Sequence, residues 1–225
     1  MGQSIDFIKD RATKSIAAAR EVAPTWTWQD MDADAMQAEL DKIIGNEDGS
    51  PKVGQEEIAQ DAEQAMLAKR GLWDTALDQL HRWTMQGLGM AKTRYRDDPA
   101  KLGQLDNLSA RGTSRAETLA EALDWDSAWG KLDPAWSPMP ANTRTAFSAL
   151  RKTCVEELQT DYADARANWR DEAEKLNELA ANLEKINVAW YADATRAFAE
   201  GTPEGDMIRG TVPTTYNPPA PPATP

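Results

Sequence analysis

The sequence predicts an all-α protein: an elongated helical bundle built on two long helices, with shorter flanking helices and a proline-rich C-terminal tail. Three observations carry this reading. The stretch from Thr143 to Glu200 contains no helix breaker, the stretch from Gln55 to Arg96 contains no proline, and short segments around them end at proline, glycine and capping residues. Counting alternately three and four residues from Val155 gives Leu158, Tyr162, Ala165, Trp169, Glu172, Leu176, Leu179, Leu183, Ile186, Trp190, Asp193 and Ala197. Eleven of these thirteen seam positions, Val155 included, are apolar or aromatic. A repeat close to 3.5 residues keeps one stripe of a helix against a partner, and at 1.5 Å per residue the helix would be roughly 85 Å long.

The flanking elements follow from their own signals. Residues from about Ser4 to Glu21 form a first helix with Ile5, Ile8, Ala12 and Ile16 on one face, and Pro24 ends it. A second helix is expected with Thr27 as N-cap, Trp28, Met31, Ala35, Leu40, Ile43 and Ile44 inward, and Gly45 as its stop. Asn46 to Gly54 reads as a loop. The long helix from Gln55 to Arg96 offers Ile58, Ala62, Ala65, Leu72, Ala76 or Leu77, Leu80, Trp83, Leu88, Ala91 and Tyr95 to one wandering stripe. Gly71, Gly87 and Gly89 lie inside it, where bends or close backbone approach are expected. A helical turn or two after Pro99 carries Leu102, Leu105 and Leu108, and Arg111-Gly112 closes it. Ser114 and Glu117 have capping-box spacing before a helix bearing Leu119, Leu123, Trp125, Ala128 and Trp129. The corner Asp133 to Pro140 cannot continue a helix, and Asn142 is the expected N-cap of the long one.

In domain terms, residues 1–205 read as one bundle and 206–225 as an extended, polyproline II-like tail. A sparse match between Glu56-Glu57-Ile58 with Asp61 and Glu156-Glu157-Leu158 with Asp161 suggests a weak internal duplication, over about 25–112 and 123–213.

Composition narrows the function classes. A formal charge of −12 opposes a general role on nucleic acid or on an anionic membrane, because phosphate binding needs clustered Lys and Arg. No apolar run is long enough for a transmembrane span, and no signal peptide is visible, which leaves the cytoplasm as the default location. The single cysteine, Cys154, excludes an internal disulfide framework and a cysteine-based zinc site.

The candidate chemistry is thin. His81, the one histidine, follows Asp78 by three residues, half of a diiron ligand pair whose second histidine does not exist. It reads as a surface or partly packed residue. Gly87 to Thr93 lacks both the spacing of a phosphate loop and a preceding strand. Cys154 has no nearby histidine in sequence to act as its base, and the many carboxylate pairs read as solvated faces. No catalytic residue, cofactor site or metal site is therefore assigned, and the chain reads as non-enzymatic.

Two sets of residues are singled out. Glu172 and Asp193 interrupt the seam: either the bundle widens there and both carboxylates reach water, or they fix the register of helix pairing at a cost in stability, as a polar seam residue can. Trp26, Trp28, Trp125, Trp129 and Trp136, with Tyr216 in the tail, are candidate interface residues, since tryptophan is enriched where interfaces are strongest. Tryptophans near helix ends serve equally well as internal caps of a thin core. The leading expectation is a structural or assembly protein whose partner is itself, through the helical body and the tail. A helical adaptor that binds another protein is the alternative, and a membrane-active helical toxin is a minor one.

Overall fold

The computed structural model describes residues 4–108 and 114–212. Among them the regular secondary structure is helical, with an isolated bridge between Met139 and Asn142 and no strand. The elements are α1 (Ile5–Val22), α2 (Ala33–Ile44), α3 (Gln55–Arg94), α4 (Pro99–Asp106), α5 (Arg115–Leu132), α6 (Arg144–Lys152), a π-helical segment (Thr153–Leu158), α7 (Gln159–Ala197) and α8 (Pro203–Arg209). The two long helices expected from sequence are present: α3, and the unbroken run from Arg144 to Ala197. The chain divides into two compact units. One takes the chain up to Asp61 and again from Arg170 onward; the other is Ala62–Trp169.

The first unit contains α1, α2, α8, the first turns of α3 and most of α7. Helix α1 starts where the Ser4 hydroxyl accepts from the Phe7 N–H at 3.3 Å, and its inward row is Ile8, Ala12 and Ile16, as the periodicity predicts. Helix α2 begins later than expected. Its N-cap is Asp32, whose carboxylate accepts from the Ala35 N–H at 2.7 Å, so Thr27, Trp28 and Met31 precede the helix. A carboxylate cap also opposes the helix dipole favourably, which a threonine does not. With that phase Met36, Leu40 and Ile43 turn inward and Ile44 is exposed. Gly45 ends α2 with φ at +82°, and its backbone lies so close to Gly54 that a side chain on either would clash.

Helix α7 closes this core with Ala180, Leu183, Asn187, Trp190 and Ala194. Asn187 is fully buried and its side-chain amide donates to the Ile8 carbonyl at 3.3 Å. Beside it Arg11 pairs with Glu184 at 2.7 Å and lies 5.7 Å from the Tyr191 ring centre. Ile208 of α8 is fully buried in the same core. The stretch expected to be extended from residue 206 is therefore helical up to Arg209; a Thr202 cap followed by Pro203 starts a short helix there.

The second unit holds the rest of α3 with α4, α5, α6, the π segment and the start of α7. The α3 residues that are buried here are Ala62, Met66, Trp73, Leu77, Leu80, Thr84, Leu88 and Ala91, with Tyr95 just beyond the helix. Trp73 takes the place expected for Leu72, which is 57% exposed; the indole buries the larger surface and meets the Tyr162 ring at 5.5 Å. Helix α5 opens on the expected capping box between Ser114 and Glu117, and Leu123 on it is exposed. Helix α6 is capped by Thr143 rather than Asn142. Asn142 is instead buried and donates to the Trp83 carbonyl at 3.1 Å. The π turn admits one extra residue, so Cys154 faces the core and Val155, the expected first seam residue, is 41% exposed. The close of the α4 segment at Arg111-Gly112 lies outside the described residues.

Of the three α3 glycines, only Gly87 meets a neighbour. A Cβ there would stand 2.7 Å from the Trp125 ring, whereas nothing lies within 4 Å of one at Gly71 or Gly89. Gly71→Ala and Gly89→Ala should each stabilise the protein by up to about 1 kcal/mol through helix propensity. Gly87→Ala should destabilise it by about 1–3 kcal/mol, because the buried indole cannot move aside. Chemical denaturation of the three variants checks both signs.

Arg115 of α5 grips Asp74 of α3 through two hydrogen bonds, at 2.7 and 2.9 Å, and lies 4.8 Å from the Trp73 ring centre. The Arg115 hydrogen bond holds the Asp74 carboxyl below the usual carboxylate range. A depressed folded-state pKa stabilises above the unfolded value and loses that contribution as pH falls through the folded one. Asp74→Asn should therefore cost a fraction of about 1 kcal/mol at pH 7, since the pair is partly solvated. The gap from the parent should close as pH drops below about 4, read by unfolding across a pH series.

Candidate functional site

The segment after α1 brings three of the singled-out residues together. At the helix end the N–H groups of Thr25 and Trp26 both donate to the Val22 carbonyl at 2.9 Å, which turns the chain across the last turns of α7. Trp28 is 9% exposed, and its indole N–H donates to the Asp193 carboxylate at 3.0 Å. Asp193 also receives Arg196 at 2.9 Å, so its charge is met on both oxygens. Trp26 is half-buried, its ring set edge-on to Phe198 at 5.9 Å. A groove of about 490 Å³ runs along Trp26, Thr27, Trp28, Gln29 and Asp30 on one side and Asp193, Arg196 and Ala197 on the other. A smaller hollow of about 50 Å³ shares the Trp26, Thr27 and Trp28 walls and is backed by Ala19, Ala23, Met31 and Trp190.

The other tryptophans have a different setting. Trp125 and Trp129 are each 1% exposed, stack at 5.2 Å, and sit in the core of the second unit with Phe147. The Trp129 indole N–H donates to the Trp136 carbonyl at 2.8 Å, and the two rings meet at 6.3 Å. Trp136 is half-buried, with the Arg94 guanidinium 5.4 Å from its ring centre. Trp125 and Trp129 thus pack inward, while Trp26 and Trp136 keep a face toward solvent. Tyr216 lies outside the described residues.

Glu172, the other polar seam residue, is held within the first unit. It accepts from the Gln55 side chain at 2.7 Å and pairs with Lys175 at 2.8 Å. The Lys175 and Gln55 hydrogen bonds hold its carboxyl below the usual range. Both polar seam residues are thereby tied to partners in their own unit, Glu172 to the start of α3 and Asp193 to the segment before α2.

Three polar sites were not singled out from sequence. Asn187 belongs to the row Leu183, Asn187, Trp190 and Ala194, which the count through Ile186 passes by one residue. Asp126 on α5, with its side chain 10% exposed, accepts from Ser148 at 3.0 and 3.1 Å and pairs with Arg144 at 3.3 Å and Arg151 at 3.4 Å, pinning α5 to α6. The signal available was the spacing of Arg144, Ser148 and Arg151 along one helix face. Glu121, also buried, faces His81 at 3.4 Å.

These groups make a poor nucleophilic or metal-binding set. Burial pushes the Cys154 thiol up, away from the thiolate form. No group of three or more His, Cys, Asp or Glu side chains is placed to hold a metal ion among the described residues. No described helix is long and apolar enough to cross a membrane. In comparisons with known proteins, the chain matches no family model, no curated protein and no solved structure.

Proposed function

We propose that this is a non-enzymatic structural or assembly protein that associates with copies of itself. The observation that carries the reading is the groove beside Trp26: a half-buried indole, fixed by Phe198 and by the Trp28–Asp193 bond, flanking about 490 Å³ of open concavity. A rigid aromatic that is already ordered loses little entropy when a partner covers it, which is why tryptophans so often dominate binding energy. The Trp28–Asp193 bond serves as a support, holding the segment in place so that Trp26 is presented in one orientation. A helical adaptor that receives a different protein would use the same surface, and it is the reading left standing where self-association fails.

The large negative charge sets a condition on this association. Copies carrying −12 each repel one another at low ionic strength, and salt screens that repulsion over about 8 Å at physiological concentration. Light scattering over a concentration series should therefore report masses above one chain, with association strengthening as salt rises. Trp26→Ala should raise the concentration for half-association about 30-fold, equivalent to about 2 kcal/mol. A strict monomer at high concentration and physiological salt would contradict the reading.

A further inference from the structure

We infer that the Trp26 groove receives the proline-rich segment Asn217–Pro222 of a second copy of this chain. The inference rests on the self-association reading and names the two surfaces that meet. The segment follows closely on α8, whose Ile208 is buried in the unit that carries the groove. Thirteen residues follow Val212, six of them proline, and none of the thirteen is charged. Among copies that each carry −12, this uncharged stretch is a part of the chain that approaches another copy without adding to the repulsion.

The recognition chemistry is that of polyproline docking. A polyproline II strand repeats every three residues, so in that conformation Pro218 and Pro221 would share one face and Pro219 and Pro222 the next, each pair about 9 Å apart. Such strands bind across aromatic ridges, with prolines in the hollows on either side and little ordering entropy to lose. Trp26 provides a ridge of this kind: the groove and the smaller hollow share its walls. The rim carries the Asp193–Arg196 pair, whose charges meet at 2.9 Å, and the exposed Asp30 carboxylate, which an uncharged ligand approaches without repulsion.

The test uses the full-length chain with Pro218, Pro219, Pro221 and Pro222 all replaced by alanine, so that its own segment does not compete. The probe is a fluorescent peptide of residues 213–225, followed by anisotropy. Saturable binding is expected, weakened at least tenfold by Trp26→Ala and also by Thr27→Arg, which fills the groove from an exposed position without touching the core. Met207→Ala, beside a separate groove between α1 and α8, should leave it within twofold, and a peptide with the same four prolines replaced should not bind.

No saturable binding, or binding indifferent to both groove variants, overturns the inference. Light scattering separates that failure from failure of self-association. If the four-alanine protein associates as well as the parent, the docking inference falls and self-association stands. If the parent itself is a monomer, self-association falls, and a peptide that still binds marks contact within one chain, which also overturns docking on a second copy.

Discussion

Rotational phase along the helical run from Arg144 to Ala197 is the constraint on which the rest of the structure depends. A straight helix drifts by about 20° per heptad against a strict seven-residue repeat, so a stripe this long does not stay in phase without adjustment. The run buries Phe147 and Cys154 in one core and Leu183, Asn187, Trp190 and Ala194 in the other. The π segment at Thr153–Leu158 supplies one adjustment: it absorbs a residue, places Cys154 inward, and lets Leu158 and Tyr162 follow at two successive steps of four. Within the first unit, supporting contacts depend on the phase of α7 itself. Asn187 reaches the Ile8 carbonyl, Glu184 meets Arg11, and Asp193 meets Trp28 only because each leaves α7 at its own angle.

Each core is then made specific by buried polar groups in mostly apolar surroundings. Asp126 with Arg144, Arg151 and Ser148 ties α5 to α6, and Asn187 ties α7 to α1. Such groups add little net stability, but a shifted helix would leave them buried without partners, at about 1–3 kcal/mol for each neutral group and more for a charge. The tryptophans divide along the same line. Trp125 and Trp129 are core residues, packed so closely that Gly87 has no room for a methyl group, whereas Trp26 is held in place and left partly uncovered.

Much of the helical layout was legible in the sequence, because period and punctuation are local. The row on α1, the Leu183 and Trp190 positions of α7, the Gly45 stop and the Ser114 capping box are read directly from residue order. What was not legible depends on pairing across distance. Asp32 displaces Thr27 as a cap because the Trp26 to Trp28 segment is drawn onto α7 by Phe198 and Asp193. Trp73 displaces Leu72 because Tyr162 and Arg115 meet it from other helices. Asn142, a good N-cap by type, is claimed by the Trp83 carbonyl, and Thr143 caps instead. Of the candidate site, Trp26, Trp28 and Asp193 each stand out in the sequence, but their convergence does not, since 165 positions separate Trp28 from Asp193.

The Trp26 surface is where copies of this chain are proposed to meet. Hydrogen–deuterium exchange of the full-length protein at low and high concentration, at physiological salt, tests it most directly. Protection should rise with concentration in peptides covering Trp26 to Asp30 and Asp193 to Phe198, with no change across the buried row of α1. Concentration-independent exchange in both of those peptides, or new protection confined to other surfaces, would contradict it.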